Sequence, residues 1–405
     1  MSRIPIEKFR IQQYKKIDRV SSGRLLILIL KVLGLWHWQE EEEQSVLSVI
    51  LHHLHAWLLH VPMSFAFCAL MWIEVFRAPD FEEAGKVLYM SLTLSVVIPK
   101  TLSFWLLSTR ICRFIKDLQV NPMYEFQSQE EILMWHSQHK LFKNVVRLYL
   151  GGSVLAALGA FIGVLFEEDY QLGFPYWVPF EWHNPRGYWL AYLYNVVAMS
   201  VACFSNVSFD MFGCYMIFHI GLLYKLLSLR FHQLQHVDEV KAKDKLMAFV
   251  LMHMKIKRHE GHQKVATKEC EHLVSHYVLN QIIFSALIIC FSGYRLQKMN
   301  IMDNVGQFFS MLQFLSIMIL EIFLPCYFAN EITVNSSLLL FDIYKSNWLN
   351  YSPSTRKFII LFMDFLKQPV IIKAGGYFEI GLPIFTKVMN NAYTFFALLL
   401  NVDEK

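Results

Sequence analysis

The chain has 405 residues, 55% of them hydrophobic and only 17% charged, with a mean hydropathy of +0.35. A soluble domain usually carries about 25% charged residues, so this composition excludes a disordered chain, a collagen-like chain and a disulfide scaffold, and points to one polytopic membrane bundle. A net charge of +4, without a basic run interleaved with stacking aromatics, leaves no footprint for nucleic acid.

In chain order, residues 1–45 read as a cytoplasmic N-terminus. Arg3, Lys8, Arg10, Lys15, Lys16, Arg19 and Arg24 precede any apolar run, so this is not a signal peptide. Leu25 to Trp38 is too short to span a bilayer and is predicted as an interfacial or re-entrant helix. Seven apolar stretches then come in succession: Val46 to Trp72, Val87 to Leu107, Leu148 to Phe166, Tyr188 to Leu223, Tyr277 to Tyr294, Val305 to Phe328, and Tyr377 to Val402. The fourth is too long for one span and is expected to continue as a helix beyond the bilayer. Residues 46–328 are predicted to hold helices one to six with a ligand pocket, 329–376 a set of anchor helices, and 377–405 the last helix and a short outer tail. The connectors after the second, fourth and sixth stretches are long. Within them, Lys241 to His276 and Thr355 to Leu366 have helical patterning. The expected fold is therefore an all-α membrane protein of seven transmembrane helices, its N-terminus cytoplasmic, with a cytoplasmic helical anchor layer. The excess of Lys and Arg on that side agrees with the orientation.

Charges inside spans are costly and mark functional candidates. They are Lys100, expected to snorkel to the basic end of its helix, and Asp210, Glu321 and Lys387. In the third stretch Gly152, Ala156 and Ala160 recur at four-residue steps; they suit close helix packing or, alternatively, leave space for a ligand. The histidines near His52 and His55, and those from His253 through His259 and His262 to His276, lack metal-ligand spacing and read as solvated or capping groups. The cysteines fit no disulfide framework and read as buried thiols. Enzyme signatures are absent, and neither a cofactor nor a metal is expected.

Lys387, Asn391, Thr394, Leu398 and Val402 share one face of the last helix. That face suits an ordinary interhelical contact or, alternatively, a pore wall ending in an aliphatic constriction that gates by dewetting.

Several motifs of the C-terminal third, in this order and spacing, resemble the insect odorant receptor family. They are Pro325-Cys326-Tyr327-Phe328-Ala329-Asn330-Glu331, Ile343-Tyr344-Lys345-Ser346-Asn347-Trp348, Ser352-Pro353 through Arg356-Lys357, Ala374-Gly375-Gly376-Tyr377-Phe378, and Phe385 with Ala392-Tyr393-Thr394. Phe174-Pro175-Tyr176-Trp177-Val178-Pro179-Phe180 looks like that family's second extracellular loop. The resemblance implies a ligand-tuned subunit that binds a small volatile odorant. Its partners are coreceptor subunits in a heterotetramer within membrane lipid, and the assembly is an odorant-gated non-selective cation channel. It also implies a plasma-membrane location, in olfactory neuron dendrites. The final helix would line the pore, with Leu398 at the gate position. Lys387 beside a cation pathway would need a wide vestibule or partner carboxylates. The pocket would lie among helices two, three, four and six, at Leu92, Ser95, Val154, Ala157, Leu158, Phe161, Tyr192, Asn195, Met199, Phe309 and Gln313. A metabotropic seven-helix receptor and a gustatory receptor are the alternatives; Leu399 stands where the gustatory pattern has Gln.

Overall fold

The structure, a computed structural model, describes residues 17–36, 45–167, 169–233, 239–257, 266–299 and 305–403. His259, His262 and the side chain of Val402 lie outside the described residues. Helices dominate: α1 (Arg24–Val32), α2 (Val46–Arg77), α3 (Phe81–Val120), α4 (Gln129–Phe166), α5 (Pro185–His232), α6 (Glu239–Lys257), α7 (Ala266–Lys298), α8 (Val305–Lys345), α9 (Pro353–Leu366) and α10 (Leu382–Asp403). Six of them, α2 to α5, α7 and α8, are long and apolar enough to cross a membrane.

Local chemistry sets their ends. Asp80, Ser128 and Asn184 each accept a hydrogen bond from the backbone N–H three residues on, capping α3, α4 and α5. The interfacial helix is shorter than the apolar run suggests. Gly34, at φ +70°, ends α1 in a Schellman turn, with Leu35 N–H on the Leu30 carbonyl at 2.8 Å. It is amphipathic: Leu26 and Leu30 are buried, and Leu25, Leu28 and Val32 are exposed.

Two expected boundaries move. α8 runs unbroken through residue 328, with Pro325 inside it, so the sixth span and the first anchor helix are one element. The last helix starts at Leu382 rather than Tyr377. Before it, β1 (Lys373–Ala374) pairs antiparallel with β2 (Phe378–Glu379). The turn between them places Gly375 and Gly376 at φ +60° and +75°, which a side chain disfavours. Pro383 opens α10 instead of breaking it, since a helix tolerates proline in its first turn.

α5 is the central post. Every residue from Ser205 to Tyr224 is buried, so this stretch has no lipid face and α3, α4, α7 and α8 surround it. Gly213 admits the Tyr277 phenol, whose oxygen lies 1.4 Å from where a Cβ would sit. At one end of the bundle α6, α9 and the hairpin form a helical layer. There Arg230 of α5 grips Glu131 through two N–H···O contacts of 3.2 and 3.3 Å, and also donates to the carbonyls of Met123 and Glu125. Phe362 of α9 packs within the chain against Phe231 and His253. Burial lowers His253, in α6, from 6.5 to about 3, and neither of its ring nitrogens has a hydrogen-bond partner among the described residues.

Candidate ligand-binding cavity

At the other end of the bundle, a cavity of about 210 Å³ opens between α3, α4, α5, α7 and α8 beneath the connector that succeeds α4. Its walls are mainly apolar. α3 supplies Met90, Leu94 and Val97, α4 Ala156, Ala157 and Ala160, α5 Met199 and Ala202, and α8 Met311, Phe314, Ile317 and Met318. The four-residue stripe on α4 both admits a neighbouring helix and borders the cavity. Gly152 lets Gln313 and Ile317 of α8 come close, and Ala156 and Ala160 leave room for the cavity.

The connector roofs this space. Asn195 of α5 clamps Phe174 at both backbone atoms, accepting from its N–H at 3.3 Å and donating to its carbonyl at 2.6 Å. Phe161 meets the Phe174 ring edge-on at 5.4 Å, and Tyr192 donates to the Phe161 carbonyl at 3.0 Å. Most polar groups of the wall are already engaged. Thr93, Ser153 and Ser310 donate to the carbonyls of Tyr89, Tyr149 and Ala156, at 2.8, 2.8 and 2.5 Å.

Of the predicted wall residues, Ala157 and Met199 line the cavity. Phe161, Tyr192 and Asn195 build the roof. Gln313 fills the notch at Gly152, and Ser95 accepts from the Trp72 indole at 2.8 Å, tying α3 to α2. Leu92 and Val154 are absent from the wall, and Leu158 and Phe309 stand on the outer surface, 47% and 59% exposed. The cavity lies among the helices expected, and the residues that face it are rotated. On α4 the wall falls on Ser153, Ala156, Ala157 and Ala160 instead of Val154, Ala157, Leu158 and Phe161. On α3 it falls on Met90, Thr93, Leu94 and Val97. The contribution of α7, through Arg295, was not anticipated.

Asn206 closes the deep end and belongs to a buried ion cluster. Lys100 spends all three ammonium donors there: on Asn206 Oδ1 at 2.8 Å, Asp210 Oδ1 at 2.6 Å and Glu321 Oε1 at 2.8 Å. Asn206 Nδ2 also donates to Glu321 at 3.2 Å. The expectation that Lys100 snorkels is overturned. Its side chain is fully buried, held by carboxylates from two other helices.

α10 packs Phe385, Val388 and Ala392 inward, with Phe385 against Phe323 of α8 at 5.3 Å. Lys387, Asn391, Thr394 and Leu398 share the opposite, exposed face, Leu398 being 57% exposed. By length and composition α10 is not among the helices apolar enough to cross a membrane; Lys387, Asn390, Asn391 and Asn401 interrupt its apolar run.

Comparison with known proteins places the chain. Residues 80–393 match the family profile described as 7tm Odorant receptor. The chain is 45% identical to Odorant receptor 94a of Drosophila melanogaster over 96% of its own length and all of that protein's, and 23% identical to Odorant receptor 46a, isoform A, over 93%. Its fold is similar to the insect olfactory receptor OR5 from Machilis hrabei. The TM-score is 0.77 over 94% of this chain and 97% of that one at 18% identity, and 0.78 over 98% and 100% at 17% identity for the same receptor in complex with eugenol. A fully matched relative and a matching all-helical architecture agree with a roofed apolar cavity inside a multi-pass membrane bundle: the chain belongs to the odorant receptor family, a family of receptors and not of enzymes.

Proposed function

We propose that this chain is the odorant-binding subunit of a heteromeric, odorant-gated, non-selective cation channel, and that the roofed cavity is where the volatile binds. The observation that carries the reading is the cavity itself: it is small, largely apolar and closed above by a clamped loop, as a ligand with few hydrogen-bonding groups requires. The eugenol complex of a protein with the same fold supports a small volatile as the ligand class. α10 is the seventh span, and its exposed face of Lys387, Asn391, Thr394 and Leu398 lines the central pore, with Val402 one turn beyond. A helix too polar for lipid on one side is explained when that side meets water in an assembly. The N-terminus and the helical layer are cytoplasmic. The layer's exposed apolar residues Leu349, Ile360 and Leu361, beside Arg356 and Lys357, give coreceptor subunits a surface to dock on. The plasma membrane of olfactory dendrites is the place of action.

The test is Ala157→Phe, which puts a ring into the cavity. Co-expressed with a coreceptor and challenged with a panel of volatiles, the variant should lose about tenfold or more in sensitivity to every agonist, a penalty of roughly 1.4 kcal/mol. Surface labelling should be unchanged. Wild-type sensitivity to all agonists would refute the site.

A further inference from the structure

A cavity this apolar orients its ligand through whichever polar groups remain uncommitted. Thr93, Ser153 and Ser310 are spent on helix carbonyls, and Asn206 is locked into the ion cluster. At the mouth Lys86 is paired with Glu83. Arg295 differs. It sits in the last turn of α7, lines the cavity half-buried, and has no hydrogen bond or ion pair with any described residue. The Tyr89 phenol, also in the wall, lies within its electrostatic range. A guanidinium offers five donors and no acceptor, and is weakly hydrated for a cation. Beside an apolar wall it favours an oxygen acceptor and repels a second cation.

We infer that Arg295 is the polar anchor of the cavity, selecting volatiles that carry a carbonyl-type oxygen (ketone, ester or carboxylate) and seating that head at the mouth with the hydrocarbon directed down toward Asn206. This rests on the reading of the cavity as the odorant site and adds the chemical class of the odorant. Arg295 also makes the cavity reject ammonium heads, because the positive charge of an amine would be brought beside it in a poorly hydrated space.

The experiment uses the full chain with a coreceptor and one seven-carbon skeleton carried as ketone, methyl ester, carboxylic acid, alcohol, primary amine and alkane. Wild type should respond to the ketone or ester at concentrations about tenfold or more below those for alkane and amine, the range expected when a charged donor meets a neutral acceptor. Arg295→Met should erase that advantage and leave the alkane response in place. Arg295→Lys should retain part of it, keeping the charge and losing the fork. Surface labelling of each variant guards against misfolding, and the wild-type rank order needs no variant at all. The inference is overturned by alkane or amine matching the oxygenated members, by silence of wild type toward all of those members, or by Arg295→Met shifting every compound equally or none. Ala157→Phe separates the two readings. If it leaves all sensitivities unchanged the cavity itself is wrong; if it lowers them while Arg295→Met leaves the functional-group order intact, only the anchor is wrong.

Discussion

Replacing Lys100 with Met keeps the length of the side chain and removes its charge. The geometry of the cluster sets the size of the loss. Both carboxylates, Asp210 and Glu321, are buried, at 3% and 7% side-chain exposure, and among the described residues Lys100 is the one cation paired with them. Three hydrogen bonds of 2.6 to 2.8 Å disappear together. Removing one partner of a buried ion pair leaves uncompensated charge and costs about 3–5 kcal/mol. Against a typical total stability of about 5–15 kcal/mol, that is about a fifth or more of what holds a protein folded. Lys100→Met should therefore reach the cell surface poorly, and in detergent its monodisperse fraction should vanish at a clearly lower temperature than wild type. Asp210→Asn is the contrasting perturbation: two carboxylates face one ammonium, so neutralising Asp210 leaves a balanced Lys100–Glu321 pair and should cost far less. The combined Lys100→Met, Asp210→Asn and Glu321→Gln chain removes all three charges and should recover much of the loss, since a buried cluster replaced as a whole is often neutral in stability. A wild-type melting curve for Lys100→Met, or a combined variant no better than the single one, would refute the reasoning.

Two further outcomes are expected. Leu398→Ser, on the exposed face of α10, should wet an aliphatic constriction and shift the closed-to-open balance by roughly 1 kcal/mol, about fivefold; whole-cell current should show higher basal conductance or greater ligand sensitivity with the rank order of odorants preserved, and unchanged currents would remove Asn391 and Thr394 from the pore as well. His253, lowered by burial from 6.5 to about 3, favours folding while neutral: above pH 6.5 both states are neutral, and as pH falls toward 3 the unfolded chain alone takes the proton, so stability is lost across that window, by about 2 kcal/mol at pH 5. His253→Phe, packed among Phe362 and Phe365, should flatten that loss in melting curves at pH 7.5 and pH 5, and identical pH dependence would refute it.

Spans were legible because twenty apolar residues have few other uses, and α9 because Thr355, Ile359, Phe362 and Leu366 recur on one buried face. The facing residues of the cavity were harder to read for a reason specific to lipid. In water an apolar stripe points inward; in a bilayer the outside is apolar too, so Leu158 and Phe309 on the surface look like wall residues. The better signal was small volume: Ser153, Ala156 and Ala160 mark the side of α4 where other helices stand off. Lys100 was misread because Asp210 and Glu321 lie far away in sequence, and no local pattern announces a pairing across three helices.

Besides α2, with Pro62 in its π-helical segment, two described helices carry a proline in their interior, α3 at Pro99 and α8 at Pro325. Each proline removes one rung of the helical ladder and softens the rod at that point. Lys100 comes directly after Pro99, and Glu321 stands one turn before Pro325, so the ion cluster bolts the two rods together at their weakest joints. Cavity-facing and layer-facing halves of α3 and α8 meet at this bolt. The flexural stiffness of both helices is then set by a Coulombic fastener and not by backbone alone, and Phe323, which touches Phe385 of α10, sits between Glu321 and Pro325. Along α8 the wall residues Ser310 to Met318, the cluster member Glu321, the α10 contact Phe323 and Pro325 follow in that order.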